Sequence, residues 1–386
     1  MIKEKIQLTA SKLLASVSYL FPVHKKRVIF KSYDLKYNCN TKYMCEYLNN
    51  NYKDEFELIY VTANPISNPP LNKKGIKTCK IKSLKYHYYM FTSKFIFVNH
   101  SYPQYLPKKK NQIVIFTDHG IDIFKYIKNR SKKQKQYIYS EYKKINKFLF
   151  SSDLDAKNGK QTFGCDDERI MYTGLPRISP FFDKNFKCEN DIKKVLKINE
   201  NKKTILYAPT FRKGHKKNFL EDDFAKIIEA CEKRFGGEFV VLNRDHNFTL
   251  KDDGTKYKKS RIYECNVIED VQELIYSCVV IISDYSSIMW DASFSKHPCF
   301  LYMYDLEEYT KTWGFLTDIN KWPFPHATDI DEFCDLIINF NQSDYDKKKK
   351  EFYDYIGLHE NGSAHILKYI LFCFPYLVYD YMVSQI

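Results

Sequence analysis

The chain has no run of ~20 uninterrupted apolar residues, the length a membrane-crossing helix needs, so a spanning protein is not expected. Met1 to Phe21 holds no clean apolar core followed by a small-residue cleavage site, and no signal peptide is expected there. The eleven cysteines include no CxxC pair and no histidine partner at zinc spacing, the closest two being Cys39 and Cys45. An odd, dispersed set argues for reduced thiols in a cytoplasmic protein and against a disulfide framework or a zinc knuckle. Also missing are a Walker lysine motif, GxGxxG, HExxH and GxSxG, so P-loop, dinucleotide, zincin and hydrolase readings lack support. The aspartates form no obvious metal cluster, which leaves the neutralising of any bound phosphate to Arg, Lys, His and helix dipoles.

What is present is a long, basic, aromatic chain. Its 386 residues exceed one ordinary core and imply two domains. A hydrophobic fraction of 44% is globular, and 32 Tyr with 29 Phe supply core and surface aromatics. The net charge of +14 points to an anionic partner: a nucleotide, a polyanionic polymer, an anionic lipid or nucleic acid. Between Ile6 and Phe21 apolar residues recur at roughly helical spacing among lysines, which fits a membrane-surface helix or a helix packed on its own domain.

Strand-like and helix-like segments then alternate. Strands are expected at Arg27–Phe30, Phe56–Val61, Phe95–Val98, Gln112–Phe116, Phe148–Ser151 and Ile170–Tyr172, with helices at Asn40–Asn49 and Ser83–Thr92. A second series places strands at Thr204–Ala208, Glu238–Leu242, Val279–Ile282 and Cys299–Tyr304, and helices at Glu221–Arg234, Asp270–Ser277 and Ser286–Lys296. This rhythm is that of doubly wound parallel sheets. It predicts an α/β protein of two Rossmann-like domains with a cleft between them, joined through the polar segment Cys188–Asn201. The divisions are residues 1–187, residues 188–363, and an apolar tail at 364–386 that packs back or touches a membrane.

The polar clusters all fall where such strands end, which is where these sheets bind ligands. His119 precedes Gly120, and a histidine side chain, whose unperturbed pKa is roughly 6.5, suits general-base work near neutral pH, with Asp118 beside it to orient or repel; a His that fills a turn is the plainer alternative. Arg177, in Thr173-Gly174-Leu175-Pro176-Arg177, is a phosphate clamp or a solvated cation. Pro209 ends a strand by removing an N–H, leaving Thr210 and Arg212 as hydrogen-bond donors. Arg244 and His246 end the next strand on one side. Asp284-Tyr285-Ser286-Ser287 leads into a helix carrying Asp291 one turn on, so the serines either cap that helix or cradle a phosphate.

In joint order and spacing, YAPTFR (Tyr207–Arg212), TGLPR (Thr173–Arg177), RDH (Arg244–His246) and DVQELIYSCVVIISDYSSIMWD with KHPCFLYMYDLEEY and the later Gly314-Phe315 resemble the CDP-glycerol glycerophosphotransferase family. The resemblance covers roughly Val28 to Ile370. That family builds teichoic acids and related poly(polyol phosphate) capsules, and the likeness implies a GT-B fold with the donor held mainly by the second domain and the acceptor by the first. It implies that His119 is the base that deprotonates an acceptor hydroxyl, inside the loop Thr117, Asp118, Gly120 and Ile121. His246 matches the second essential histidine, set with Arg244 on the donor phosphates, and Asp245 between them is grouped with the donor-binding residues. Arg177, Pro209, Thr210, Ser286, Ser287 and Asp291 match donor contacts, and Arg212 is grouped with them. The implied reaction is attack of a hydroxyl on the polyol-bearing phosphorus of CDP-glycerol with loss of CMP, by positioning and charge stabilisation. No tightly bound cofactor and no metal ligand set are implied. The expected partners are a CDP-polyol, a lipid-linked or polymeric glycan acceptor and an anionic membrane surface, not nucleic acid, at the cytoplasmic face of the membrane.

Departures from the family pattern gather on the acceptor side. Asp118 stands where a Trp is usual, Ile121-Asp122 replaces Thr-Pro, Lys125 comes one residue late, Ile178-Ser179 replaces Asn-Asp, and Trp313 replaces an Arg. The donor half is kept. Two other functions share some of these features: a glycosyltransferase of the same fold using a nucleotide sugar, and a polyanion-binding protein using Lys125–Lys147.

Overall fold

The computed structural model describes residues 14–65, 69–120, 132–184, 186–188, 191–210, 221–244, 261–359, 363, 366–367 and 369–370. Of the positions singled out above, Ile121, Asp122, Lys125, Arg212, Asp245 and His246 lie outside the described residues, as do residues 6–13 and the tail beyond 370. The chain forms two compact units, residues 1–121, 129–179 and 356–386, and residues 122–128 and 180–355.

In the first unit seven strands form one sheet: β1 (His24–Lys31), β2 (Glu57–Thr62), β3 (Lys77–Lys80), β4 (Ser93–Val98), β5 (Ile113–Phe116), β6 (Lys147–Phe150) and β7 (Ile170–Tyr172). The order is β3-β2-β1-β4-β5-β6-β7 and every pairing is parallel. Successive side chains of a strand face opposite ways, so each strand feeds two cores. Val28, Phe30, Leu58, Tyr60, Phe95 and Phe97 pack on one face, and Ile29, Ile59, Val61, Ile96, Val98 and Phe116 on the other. Burial on both faces explains why these strands read as near-continuous apolar runs. Helices cover the sheet. Ser83 caps Leu84–Thr92 by accepting from Tyr86 N, and Ser152 caps Asp153–Phe163 by accepting from Asp155 N. Ile366, Leu367 and Ile370, more than 180 residues after the last strand of this sheet, are buried in its first core.

The second unit repeats the plan with six strands: β8 (Lys203–Tyr207), β9 (Phe239–Asn243), β10 (Ile262–Glu264), β11 (Val280–Ser283), β12 (Cys299–Tyr302) and β13 (His326–Ala327). Their order is β10-β9-β8-β11-β12-β13, again wholly parallel. Counted from its own first strand, each sheet contains the 3-2-1-4-5-6 order of the Rossmann fold. The strand order therefore reverses beside β1 and β4 in one unit and beside β8 and β11 in the other. Trp290 anchors the second core, stacked on Phe352 at 4.9 Å with Phe324 and Trp322 edge-on.

The helix expected over Ser286–Lys296 is shorter, Ile288–Ser293. Its serines end it: Ser293 Oγ donates to Trp290 O at 2.6 Å and Ser295 Oγ to Ala292 O at 2.7 Å. Ser hydroxyls that bond nearby carbonyls compete with the α-helical ladder, and the last turn tightens to Phe294 N–Asp291 O and Ser295 N–Ala292 O bonds. Strands β3, β10 and β13 and the helices Ile330–Ile338 and Gln342–Ile356 are further elements of the fold.

Candidate active site

In the first unit the loop after β5 holds Thr117, Asp118, His119 and Gly120. Asp118 takes φ +54, a left-handed conformation that Asp tolerates because its short side chain can bond locally. Here Asp118 Oδ1 accepts from His119 N at 2.7 Å. The same oxygen lies 3.0 Å from His119 Nδ1, which is also 3.2 Å from the Asn99 carbonyl at the end of β4. Two acceptors on Nδ1 favour the tautomer protonated there, and Nε2 is then the basic nitrogen. Asp118 is buried while the His119 side chain is 58% exposed, so the carboxylate orients the ring from inside and the ring faces outward.

Asn40 builds this loop. It sits at the second position of the helix Cys39–Asn51 and has no exposed surface. Its Nδ2 donates to Thr117 O at 2.8 Å and to Asp118 O at 3.0 Å, and its Oδ1 accepts from Arg177 N at 3.1 Å. One side-chain amide thus joins the helix after β1, the base loop after β5 and the loop after β7. Arg177 closes the ring by donating from Nη1 to the His119 carbonyl and, at 3.6 Å, to Cys39 Sγ. It is buried, so it supports the base loop from behind. Burial raises the Cys39 thiol pKa against the lowering influence of the Arg177 charge.

In the second unit the loops after β8 and β11 are tied by Asp284. This buried carboxylate accepts from Thr210 N at 2.8 Å and Thr210 Oγ1 at 2.7 Å, and also from Tyr285 N. Ser283 Oγ donates to Ala208 O at 2.8 Å, a second tie between the same strand ends. Pro209, Thr210, Ser286 and Ser287 are thereby gathered, all half-buried, where the strand order reverses. Ser287 occupies the N-cap position of Ile288–Ser293 without a side-chain capping bond, so capping does not account for it. A six-residue helix has a small dipole, and the hydroxyls of the turn are its main polar offering.

Arg244 follows β9, on the other side of β8. Its backbone N donates to Tyr207 O at 2.9 Å. Its guanidinium holds the Ile268 and Glu269 carbonyls at 2.7 and 3.2 Å, using two of the five N–H donors of an Arg. Strands ~4.8 Å apart put the ends of β9, β8 and β11 within roughly 10 Å, a span suited to a nucleoside diphosphate. Asp291 is buried and accepts from Gln272 Nε2 at 3.0 Å, joining two helices beneath the turn.

Asn40, Asn99 and Asp284 were not picked out from the sequence. For Asp284 the signal was there, an Asp at a strand end opening a turn. Asn40 looks like any helix residue until its burial is known. Among the described residues no group of three or more His, Cys, Asp or Glu is arranged to hold a metal ion, and no helix is long and apolar enough to cross a membrane.

Two Rossmann-ordered parallel sheets, each with polar loops at the carboxyl ends beside its reversal of strand order, define an α/β protein of the nucleotide-handling class. Comparison with known proteins narrows this. Residues 13–371 match the family described as CDP-Glycerol:Poly(glycerophosphate) glycerophosphotransferase. The chain is 26% identical over 360 residues to the teichoic acid poly(glycerol phosphate) polymerase of Bacillus spizizenii, covering 89% of this chain and 91% of that one. It is 27% identical over 360 residues to the polymerase of the same name from Bacillus subtilis, of whose length it spans 48%. A solved structure of a variant of the wall teichoic acid polymerase TagF superposes with a TM-score of 0.77 at 25% identity, over 95% of each chain. The chain belongs to the CDP-glycerol:poly(glycerophosphate) glycerophosphotransferase family and is an enzyme of that phosphotransferase type.

Proposed function

We propose that the protein transfers glycerol phosphate from CDP-glycerol to a hydroxyl of a cell-surface polymer or its lipid-linked precursor, as a GT-B type enzyme with the donor on the second unit and the acceptor on the first. His119 Nε2 takes the acceptor proton while the acceptor oxygen attacks the glycerol-bearing phosphorus. The bond from that phosphorus to the bridging oxygen breaks and CMP leaves with the electron pair. Asp118 stabilises the imidazolium that forms. Thr210, Ser286, Ser287 and Arg244, with His246 and Arg212, hold the diphosphate, whose charge grows on the leaving side as the bond breaks. Arg177 adds positive charge beside the base loop.

The observation that carries this reading is the buried Asp118 carboxylate 3.0 Å from Nδ1 of an outward-facing His119, at the carboxyl end of a parallel strand. Such a pair has the geometry of an oriented general base. The lysine-rich surface implied by a charge of +14 suits a peripheral position at the cytoplasmic face of an anionic membrane, where the polymer's lipid-linked precursors are displayed.

The test is CMP release from CDP-glycerol in the presence of acceptor-bearing membranes, with and without the substitution His119→Ala. Wild type should release CMP and lengthen the acceptor, and His119→Ala should lower turnover by two or more orders of magnitude at nearly unchanged donor affinity. Release of a nucleoside diphosphate from a nucleotide sugar, with no CMP from any CDP-polyol, would instead identify a glycosyltransferase.

A further inference from the structure

Beside the base, the first unit carries a second set of side chains that the transfer step itself does not use. Tyr33 follows β1 and His100 follows β4, the two strands at which the order reverses. The Tyr33 ring lies 4.9 Å from the His100 ring and 6.1 Å from the His119 ring, nearly parallel to the latter at 18°. His100 and His119 are 6.4 Å apart. The three rings make a continuous wall. Large aromatic side chains are usually sunk into a core, yet Tyr33 is 63% exposed at the point where this fold binds ligands.

The chemistry of the wall is specific. A phenol ring offers an apolar face and a polar tip, the combination that receives the C–H face of a carbohydrate while leaving its hydroxyls wet. His100 is fixed by a 3.1 Å contact between Nδ1 and Ser101 Oγ. Burial, the main cause, lowers its pKa below the ordinary histidine value, with the Lys31 charge acting the same way against Glu141 and Asp118, which favours a neutral hydrogen-bonding group at neutral pH. Lys31, the last residue of β1, brings a cation to the same edge. The three ring centroids, 4.9, 6.1 and 6.4 Å apart, form a triangular cluster comparable in breadth with one six-membered sugar ring.

We propose that Tyr33 and His100 form the acceptor platform, on which a terminal pyranose stacks so that one of its hydroxyls meets His119. This rests on the transferase reading above and adds to it the class of acceptor: a sugar-ended one. Tyr33 supplies the stacking face, His100 bonds a neighbouring hydroxyl, and neither touches the donor.

Two measurements test the platform. Saturation-transfer NMR with a simple methyl pyranoside, which needs no turnover, should show contact to wild type and loss of most of the signal in Tyr33→Ala, with Tyr33→Phe retaining it. In the transfer assay Tyr33→Ala should raise KM for a pyranose-ended acceptor about tenfold, the scale of one lost aromatic contact, with kcat and the CDP-glycerol KM within about twofold. A glycerol-phosphate-ended acceptor should lose less than threefold, and His100→Gln should raise the pyranose KM several-fold. The platform is overturned by an unchanged pyranoside signal, by equal losses for both acceptors, or by a loss confined to kcat or donor KM. Failure of wild type to release CMP while it still binds the pyranoside through Tyr33 would overturn the transferase reading and leave the platform standing.

Discussion

Replacing Asn40 by Asp should cripple turnover while leaving donor binding intact. The exchange keeps size and shape, removes the two N–H donors and puts a carboxylate in their place. Oδ1 still accepts from Arg177 N, but the Nδ2 bonds to Thr117 O and Asp118 O become contacts between a carboxylate and two carbonyls. All three partner residues are buried, so water does not replace what is lost. The Thr117 carbonyl loses this donor, the Asp118 carbonyl keeps only the 3.3 Å bond from Thr117 Oγ1, and the new carboxylate is itself buried; at about 1–3 kcal/mol for each unsatisfied buried group, a net destabilisation of ~2–4 kcal/mol is expected. The larger effect is kinetic. The loop that Asn40 holds carries His119, and a displacement of ~1 Å at a reacting group costs on the order of 100-fold in rate. The assay is steady-state CMP release over a CDP-glycerol titration, beside a thermal melt showing that the variant is folded at the assay temperature. kcat should fall about 100-fold with the CDP-glycerol KM within threefold, and Asn40→Ala should lose more stability than Asn40→Asp. A folded Asn40→Asp protein with wild-type kcat would refute the inference that this amide positions the base.

On the donor side, Asp284→Ala removes the acceptor shared by Thr210 N, Thr210 Oγ1 and Tyr285 N, so the KM for CDP-glycerol should rise tenfold or more in the same assay, whereas Thr210→Val, which loses one bond, should raise it only a few-fold. Away from the site, burial, aided by the Lys296 charge, pushes the His297 pKa down to about 4. Below roughly pH 6.5 the unfolded chain takes up a proton there that the folded protein refuses, so this contribution to stability is complete above pH 6.5 and is lost as pH falls toward 4. Melting temperatures between pH 7.5 and 5 should therefore fall more steeply for wild type than for His297→Asn; parallel curves would contradict it.

The sheets were legible because parallel strands buried on both faces leave uninterrupted apolar runs such as Val28-Ile29-Phe30 and Val280-Ile281-Ile282. The short strands β3 and β10 were not, since Lys77-Thr78-Cys79-Lys80 and Ile262-Tyr263-Glu264 lie at sheet edges and each bury only one residue fully. At the site, the residue types and strand-end positions of His119, Thr210 and Ser286 were readable. What each side chain grips was not. That Arg177 donates to the His119 carbonyl and that Asp291 accepts from Gln272, both from buried positions, is visible only in the structure. Asn40 escaped notice because its importance comes from contacts 77 to 137 positions away in the chain, which no local pattern encodes.

The burial of Ile366, Leu367 and Ile370 within the first unit has a consequence for how the protein is made. On the ribosome the seven-stranded sheet emerges first, but the residues that complete its core follow only after the whole of the second unit has been synthesised. The early sheet must wait with part of an apolar face uncovered, while the second unit, continuous from residue 180 to 355, can close at once. The order of completion is thus the reverse of the order of synthesis.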